Sequence, residues 1–419
     1  MVRSIHKNLE KFNVLDYGAL GDGATDDTAA IKACITASQT FAKGSGIVFF
    51  PRGTFMVSAS LAYTAQRGLV FEGHSKSDSV VKLLPADSNQ PIFQLTDCDG
   101  AEFRDLGFDG NYVGGGGDLN TGVTFSGQSL TVTNCGFYKT SGGGVFLDGT
   151  ADTGNVHVNG NEFLRVGTAA LKIFNQGVNF QNRINFVDNH VLNVAAGDDD
   201  VASAVYMNSG NAAGIRGINI VNVSSNNVSN LDGADGAVVY AVTYDNSISN
   251  VVVSGNVSTG SQNGVAVRTD LGQGNDPGDL NNWVINGNDF ATNDVGVRQL
   301  TANGGIFRNL AMAGNNIVAS FRGVQIAAVD SQITGNTFND PSVGVALFAG
   351  SARVDVNSNH FSNVQPGSEV VFVAPGVGAP ISALQIGSGY IWVDNTGDLR
   401  ISTARPTAQN SGVVVGVQV

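Results

Sequence analysis

A chain of 419 residues that is 42% hydrophobic and 14% charged, with a net charge of -13, has material for a core but few cations. Nucleic acid is therefore excluded as a partner, since a phosphate backbone is held by clustered Lys and Arg. The 55 glycines imply very many turns, and apolar runs such as Gly46 to Phe50 fall far short of the roughly 20 residues of a membrane helix, so no membrane partner is expected.

At the N-terminus, Met1 to Lys11 carries charges and no apolar stretch of the kind a secretory signal needs. Thr25 to Ile35 sets capping residues ahead of Ala30, Ile31, Cys34 and Ile35 at helical spacing, which predicts a short amphipathic helix. That helix is expected to plug the end of the fold. Cys34, Cys98 and Cys135 are too few, and odd in number, for a disulfide framework and read as buried apolar fillers.

From about residue 100 to 365 a loose unit recurs: a β-rich run, then Asn with a large apolar residue two positions later, then a loop and Gly-Val. Asn161/Phe163, Asn189/Val191, Asn226/Val228, Asn288/Phe290, Asn315/Ile317, Asn336/Phe338 and Asn359/Phe361 follow it, with Asn256 as a weaker member. Spacings of about 21 to 37 residues fit one coil of a solenoid. Each coil cannot bury its own interior, so stacking supplies the core. An Asn repeated at a corner can donate its amide to the Asn one coil away, and Asn tolerates a left-handed backbone. Cys135 and Leu106 fall where earlier members would stand, so the ladder begins after the first coils. Leucine-rich and Trp-Asp repeat signatures are absent.

The opening Phe12-Asn13-Val14-Leu15-Asp16-Tyr17-Gly18-Ala19-Leu20-Gly21-Asp22-Gly23-Ala24-Thr25-Asp26-Asp27-Thr28, with Gly46-Ile47-Val48-Phe49-Phe50-Pro51-Arg52-Gly53-Thr54-Phe55, closely resembles the pectate-lyase-like superfamily. That superfamily includes polygalacturonase-like hydrolases, rhamnogalacturonases, mannuronan epimerases and phage tailspikes. The resemblance implies an all-β, right-handed parallel β-helix. It is strong over about the first 75 residues, where the motif builds a cap and carries no chemistry. Asp16, Asp22, Asp26 and Asp27 accordingly read as turn and cap residues. The expected organisation is a cap and first coil over 1–75, the β-helix over 76–380 and a short β appendage over 381–419. Such tails resemble those of tailspikes, and the resemblance makes a homotrimer plausible.

Stacking the strands that follow each Gly-Val gives an outward column Phe146, Lys172, Tyr206, Tyr240, Ala266, Arg298 and a second column Asp148, Phe174, Asn208, Val242, Arg268, Leu300, with Tyr244 and Asp270 two residues beyond. Coils about 4.8 Å apart match the length of a sugar unit, so the face suits a polysaccharide or oligosaccharide. One expectation is a lyase acting on a uronate-containing glycan: β-elimination needs a cation to offset the carboxylate and a base at the C5 proton. Lys172, Tyr206, Tyr240 and Arg268 supply those types; Arg268 or Arg298 would grip the carboxylate, with Lys172 or Tyr206 as base and a Tyr as the acid for the leaving oxygen. A second expectation is a glycoside hydrolase or transglycosidase with paired acids drawn from Asp148, Asp245 and Asp270, although polygalacturonase and epimerase catalytic signatures are missing. A third is a non-catalytic glycan-binding fibre. Phe146, Asn208, Tyr244, Asp245 and Arg298 are the expected substrate contacts.

No cofactor or metal is called for. Calcium would need several converging oxygens, and Asp198 to Asp200 reads as a hydrated loop. His157, His190 and His360 lack a second ligand at metal spacing and read as corner or surface residues; His74 likewise reads as a corner residue. A polymer substrate places the expected site of action outside the cell or on a virion.

Overall fold

The computed structural model describes residues 10–40, 46–84, 89–113, 119–175, 179–194, 202–210, 217–231, 235–244, 246–269, 278–302, 305–348, 350–364, 368–372, 384–386, 389–393, 399–402 and 413–416. From Lys11–Asn13 to Val370–Phe372 the strands pair in parallel, each with the strand one coil away, and form a right-handed parallel β-helix. Residues Leu384–Ile386, Gly389–Val393, Leu399–Ser402 and Val413–Gly416 make a separate antiparallel sheet.

A central coil has three strands. Ala169–Phe174 lies on the first face, Gln181–Val187 on the second and His190–Val194 on the third, and the next coil repeats them as Ser203–Asn208, Ile218–Ser224 and Asn227–Leu231. The corner between the second and third faces needs a left-handed backbone. Asp188, Ser225 and Gly255 take φ of 55°, 56° and 62° just before the repeated Asn, which is why small or polar residues recur there.

The repeated Asn forms a continuous buried ladder. From Asn161 through Asn189, Asn226, Asn256, Asn288, Asn315 and Asn336 to Asn359, each Nδ2 donates to the next Oδ1 at 2.8–3.1 Å. The same Nδ2 also donates back to a carbonyl of the preceding coil, as Asn256 does to Val223 at 2.9 Å. Asn256, the weak member by sequence, is a full member; only its apolar partner is missing, replaced by buried Ser258. Cys135 stands at the head of the ladder, its amide donating to Asn161 Oδ1 at 2.8 Å.

Inside, side chains stack coil on coil. Phe108, Phe137 and Phe163 lie with ring centroids 4.8 Å apart at each step, so every ring covers the next and the column stays dry. Phe137, Phe163 and Phe290 each face a glycine on the first face: an added Cβ at Gly144 would lie 2.4 Å from Phe163, and at Gly264 2.3 Å from Phe290. The Gly of the Gly-Val motif is therefore required by packing. Where the third-face residue shrinks to Val191, Val228 and Ser258, the first-face position grows to Ala170, Ala204 and Val238 along the same columns.

The helix occupies Thr28–Thr40 and buries Ile31, Cys34, Ile35 and Ser38. It starts directly after the expected capping residues and runs past Ile35 to Thr40, while Asp22–Asp26 pairs as a strand with Gly53–Val57. Asp27 is buried and accepts from the Leu20 and Gly21 amides at 2.7 and 3.2 Å. Asp22 accepts from Ala24 and Thr25. These acids hold turns. All three cysteines are free and buried, and burial pushes the Cys34 and Cys135 thiols up to about 12.

Hydrogen bonds from the Ser58 and Thr28 hydroxyls hold the Asp26 carboxyl down at about 2. A carboxyl depressed on folding stabilises the protein above its unfolded pKa, and that contribution is lost as pH falls through the folded value. Asp26→Asn is expected to lose less stability than the wild type between about pH 5 and pH 2. Urea midpoints across that range check this, and parallel curves for the two proteins would contradict it.

Candidate functional site

On the first face the register is Thr124, Phe146, Lys172, Tyr206, Tyr240, Ala266, Arg298, Gln325. Their neighbours Val123, Val145, Leu171, Val205, Val239, Val265 and Val297 are fully buried in the core, so strand alternation turns this column outward. Phe146, Lys172, Tyr206 and Tyr240 thus lie one above another on a single face. Phe174, Asn208, Val242 and Arg268 form the second column.

One register detail differs from the sequence alignment. The pairing shifts between Val267 and Arg268, so Arg268 stands beside Thr301, and Leu300 is the extra residue. Such a bulge is invisible to a pattern that counts residues from the Gly-Val.

The centre of the face is packed rather than open. Tyr206 and Tyr240 stack nearly parallel with centroids 5.8 Å apart, and they cluster with Ala169, Ala237, Val242 and Ala266, flanked by Phe174, Tyr244 and Leu300. Tyr240, expected as a catalytic residue, is 2% exposed and backs Tyr206. Tyr206 is 8% exposed and Lys172 9%. Outward-facing side chains pack in this way wherever they have cover.

Lys172 is the unusual group. Its Nζ lies 5.4 Å from the Phe146 centroid and 6.0 Å from that of Tyr206, and among the described residues no carboxylate stands within ion-pair distance of it. A nearly buried ammonium whose compensation among the described residues is two ring faces has strong demand for an anion. Next to it, Asn208 Nδ2 donates to Tyr206 Oη at 3.3 Å, while Asn208 Oδ1 accepts from the Gly210 amide at 2.9 Å. The amide thus fixes the phenol.

The remaining candidates divide. Phe146 and Phe174 meet edge to face at 6.5 Å. Asp148 caps a turn, accepting from the Thr150 amide and hydroxyl at 3.0 and 2.8 Å. Tyr244 lies half-buried against the aromatic cluster. Arg268 is exposed. Arg298 bonds Asp294 at 2.8 Å and faces Asp235 at 3.8 Å. Asp245 and Asp270, with Asp198 to Asp200, lie outside the described residues. Asp235, Asp294, Phe321 and Arg322 were missed by sequence reasoning: Asp294 and Arg322 precede the Gly-Val within the strands Asp289–Ala302 and Arg322–Ile326, and Asp235 and Phe321 lie just ahead of a strand, all before the positions counted from the Gly-Val.

Among the described residues no group of three or more His, Cys, Asp or Glu could hold a metal ion. His157, His190 and His360 are exposed and lie in strands rather than at corners. His74 follows Val70–Gly73 and faces Asp78 at 3.9 Å. No helix among the described residues is long and apolar enough to cross a membrane.

A family model described as rhamnogalacturonase A/epimerase, pectate lyase-like, matches residues 11–270, well past the opening motif. Over 110 residues the chain is 36% identical to mannuronan C5-epimerase AlgE3 of Azotobacter vinelandii, covering 24% of this chain and 6% of that protein. It is 30% identical over 117 residues to alginate lyase 7 of the same organism, covering 27% of this chain and 13% of that protein. The match thus spans a small fraction of each curated relative. Among solved structures, PfbA, a surface adhesin of Streptococcus pneumoniae, superposes with a TM-score of 0.62 at 16% identity, covering 94% of this chain and 100% of that one. That likeness is one of fold.

Proposed function

Since the chain belongs to the rhamnogalacturonase A/epimerase, pectate lyase-like family, we propose that it degrades a uronate-containing polysaccharide by β-elimination on the first face of the β-helix. The observation that carries this reading is Lys172, a nearly buried ammonium with ring contacts and no described carboxylate partner. A uronate carboxylate is the anion it suits. Relatives named for action on mannuronan and alginate support the same substrate class.

Lys172 binds the carboxylate at the cleavage point, which stabilises the charge that develops when the C5 proton leaves. Tyr206, one coil away and fixed by Asn208, is the proton-transfer group: its oxygen takes the C5 proton and passes it to the leaving oxygen as the C4–O bond breaks and the C4=C5 bond forms. Arg268 meets a carboxylate farther along. Elimination is favoured over hydrolysis because the groups in register are a cation and phenols, whereas Asp148 is committed to its turn. Such an enzyme works outside the cell or on a virion.

Turnover on polygalacturonate and alginate is followed by ultraviolet absorbance of unsaturated sugar and, in parallel, by new reducing ends. The wild type is expected to raise both signals together. Lys172→Met is expected to lose roughly 100-fold or more in kcat/KM with an unchanged circular dichroism spectrum. Wild-type rates in that variant, or reducing ends without absorbance, would overturn the lyase assignment.

A further inference from the structure

Four coil steps beyond Lys172, roughly 19 Å at about 4.8 Å per step, the same outward column reaches Arg298. The next coil enters this face through Phe321 and Arg322. The Phe321 amide donates to the Asp294 carbonyl at 3.1 Å, and Arg322 stands in register with Val295. Two guanidinium groups are thus brought together.

Their partners differ. Arg298 spends Nη1 on Asp294 and faces Asp235. Arg322 has no carboxylate within ion-pair distance among the described residues; its guanidinium lies over the Phe321 ring, 4.4 Å from the centroid. Both arginines bury an Nε with no acceptor among the described residues. Burial and the neighbouring Arg298 hold the Arg322 pKa below the usual arginine value, against the pull of Asp294. A cation held flat on a ring beside a second cation is suited to an incoming oxyanion, which planar guanidinium forks bind well. Phe321, 43% exposed, adds an apolar surface of the kind a sugar ring covers.

We propose that Arg298, Arg322 and Phe321 form an accessory subsite for an acidic sugar residue, the guanidinium groups holding its carboxylate or sulfate and Phe321 its ring face. The subsite rests on the glycan reading above and extends it to a chain about four sugars longer than the cleavage point requires. Its role is to anchor the polymer along the helix axis.

Calorimetric titration with oligogalacturonates of two and of six or more sugars, and with the carboxyl-reduced form of the longer one, tests this. In the wild type the long oligomer is expected to bind at least tenfold tighter than the short one, and carboxyl reduction is expected to abolish that gain. Arg322→Met and Phe321→Ala are each expected to remove most of the gain while leaving the short oligomer's affinity unchanged. The same series with a sulfated, uronate-free oligosaccharide separates the two oxyanions: a matching Arg322-dependent gain identifies sulfate as the anion bound. Equal affinity of Arg322→Met and wild type for the long oligomer and for the sulfated one would overturn the subsite while leaving the Lys172 assignment standing. If no acidic oligosaccharide binds the wild type, both fall together.

Discussion

Asn256→Ala is expected to lower the stability of the central coils by about 3 kcal/mol, far more than the loss of one surface amide. Asn256 Oδ1 accepts from both the backbone amide and Nδ2 of Asn226, at 3.0 and 2.8 Å, and Asn256 Nδ2 donates to Asn288 Oδ1 and to the Val223 carbonyl. All of these groups are buried, and each buried donor left without an acceptor costs about 1–3 kcal/mol. A solenoid unfolds by neighbouring units, so the loss is expected as faster hydrogen exchange at Asn226 and its coil neighbours. A variant with wild-type exchange there would show that the ladder contributes little.

Gly144→Ala is expected to destabilise the protein by about 2–3 kcal/mol through overpacking. Its Cβ would approach Phe163 to 2.4 Å and the Ala170 carbonyl oxygen to 2.8 Å. Phe163→Val alone leaves a cavity and is expected to cost about 2 kcal/mol or more. The double variant copies the neighbouring coil, where Ala170 and Val191 occupy the same two columns, and is expected to be more stable than the sum of the two losses by about 1–2 kcal/mol. Urea denaturation of the four proteins measures that coupling. Simple additivity would mean that the two columns do not fit to each other.

Much of this fold could be read from residue pattern because each coil repeats the same local demands. A left-handed corner, a buried amide and an inward apolar residue recur at fixed offsets, so Asn161 to Asn359 and the Gly-Val strands could be stacked correctly. The outward column from Phe146 to Arg298 follows from strand alternation alone. Alternation gives the side to which a residue points but not what covers it, so the burial of Tyr240 was not legible. The extra residue at Leu300 leaves no mark in composition, and the strand over Asp22–Asp26 lies under residues that read only as turn and cap. Arg322 opens its strand and Phe321 lies just before it, ahead of the Gly-Val from which the columns are counted, and the pairing of Arg322 with Val295 brings them beside Arg298.

The most direct test of the central claim is a crystal structure of the protein soaked with a uronate hexasaccharide. One sugar carboxylate is expected within about 3 Å of Lys172 Nζ, beside Tyr206, with the chain running along the helix axis towards Arg298. A sugar bound instead on the second face, along the exposed amides of Asn219, Asn250, Asn282 and Asn309, would contradict it.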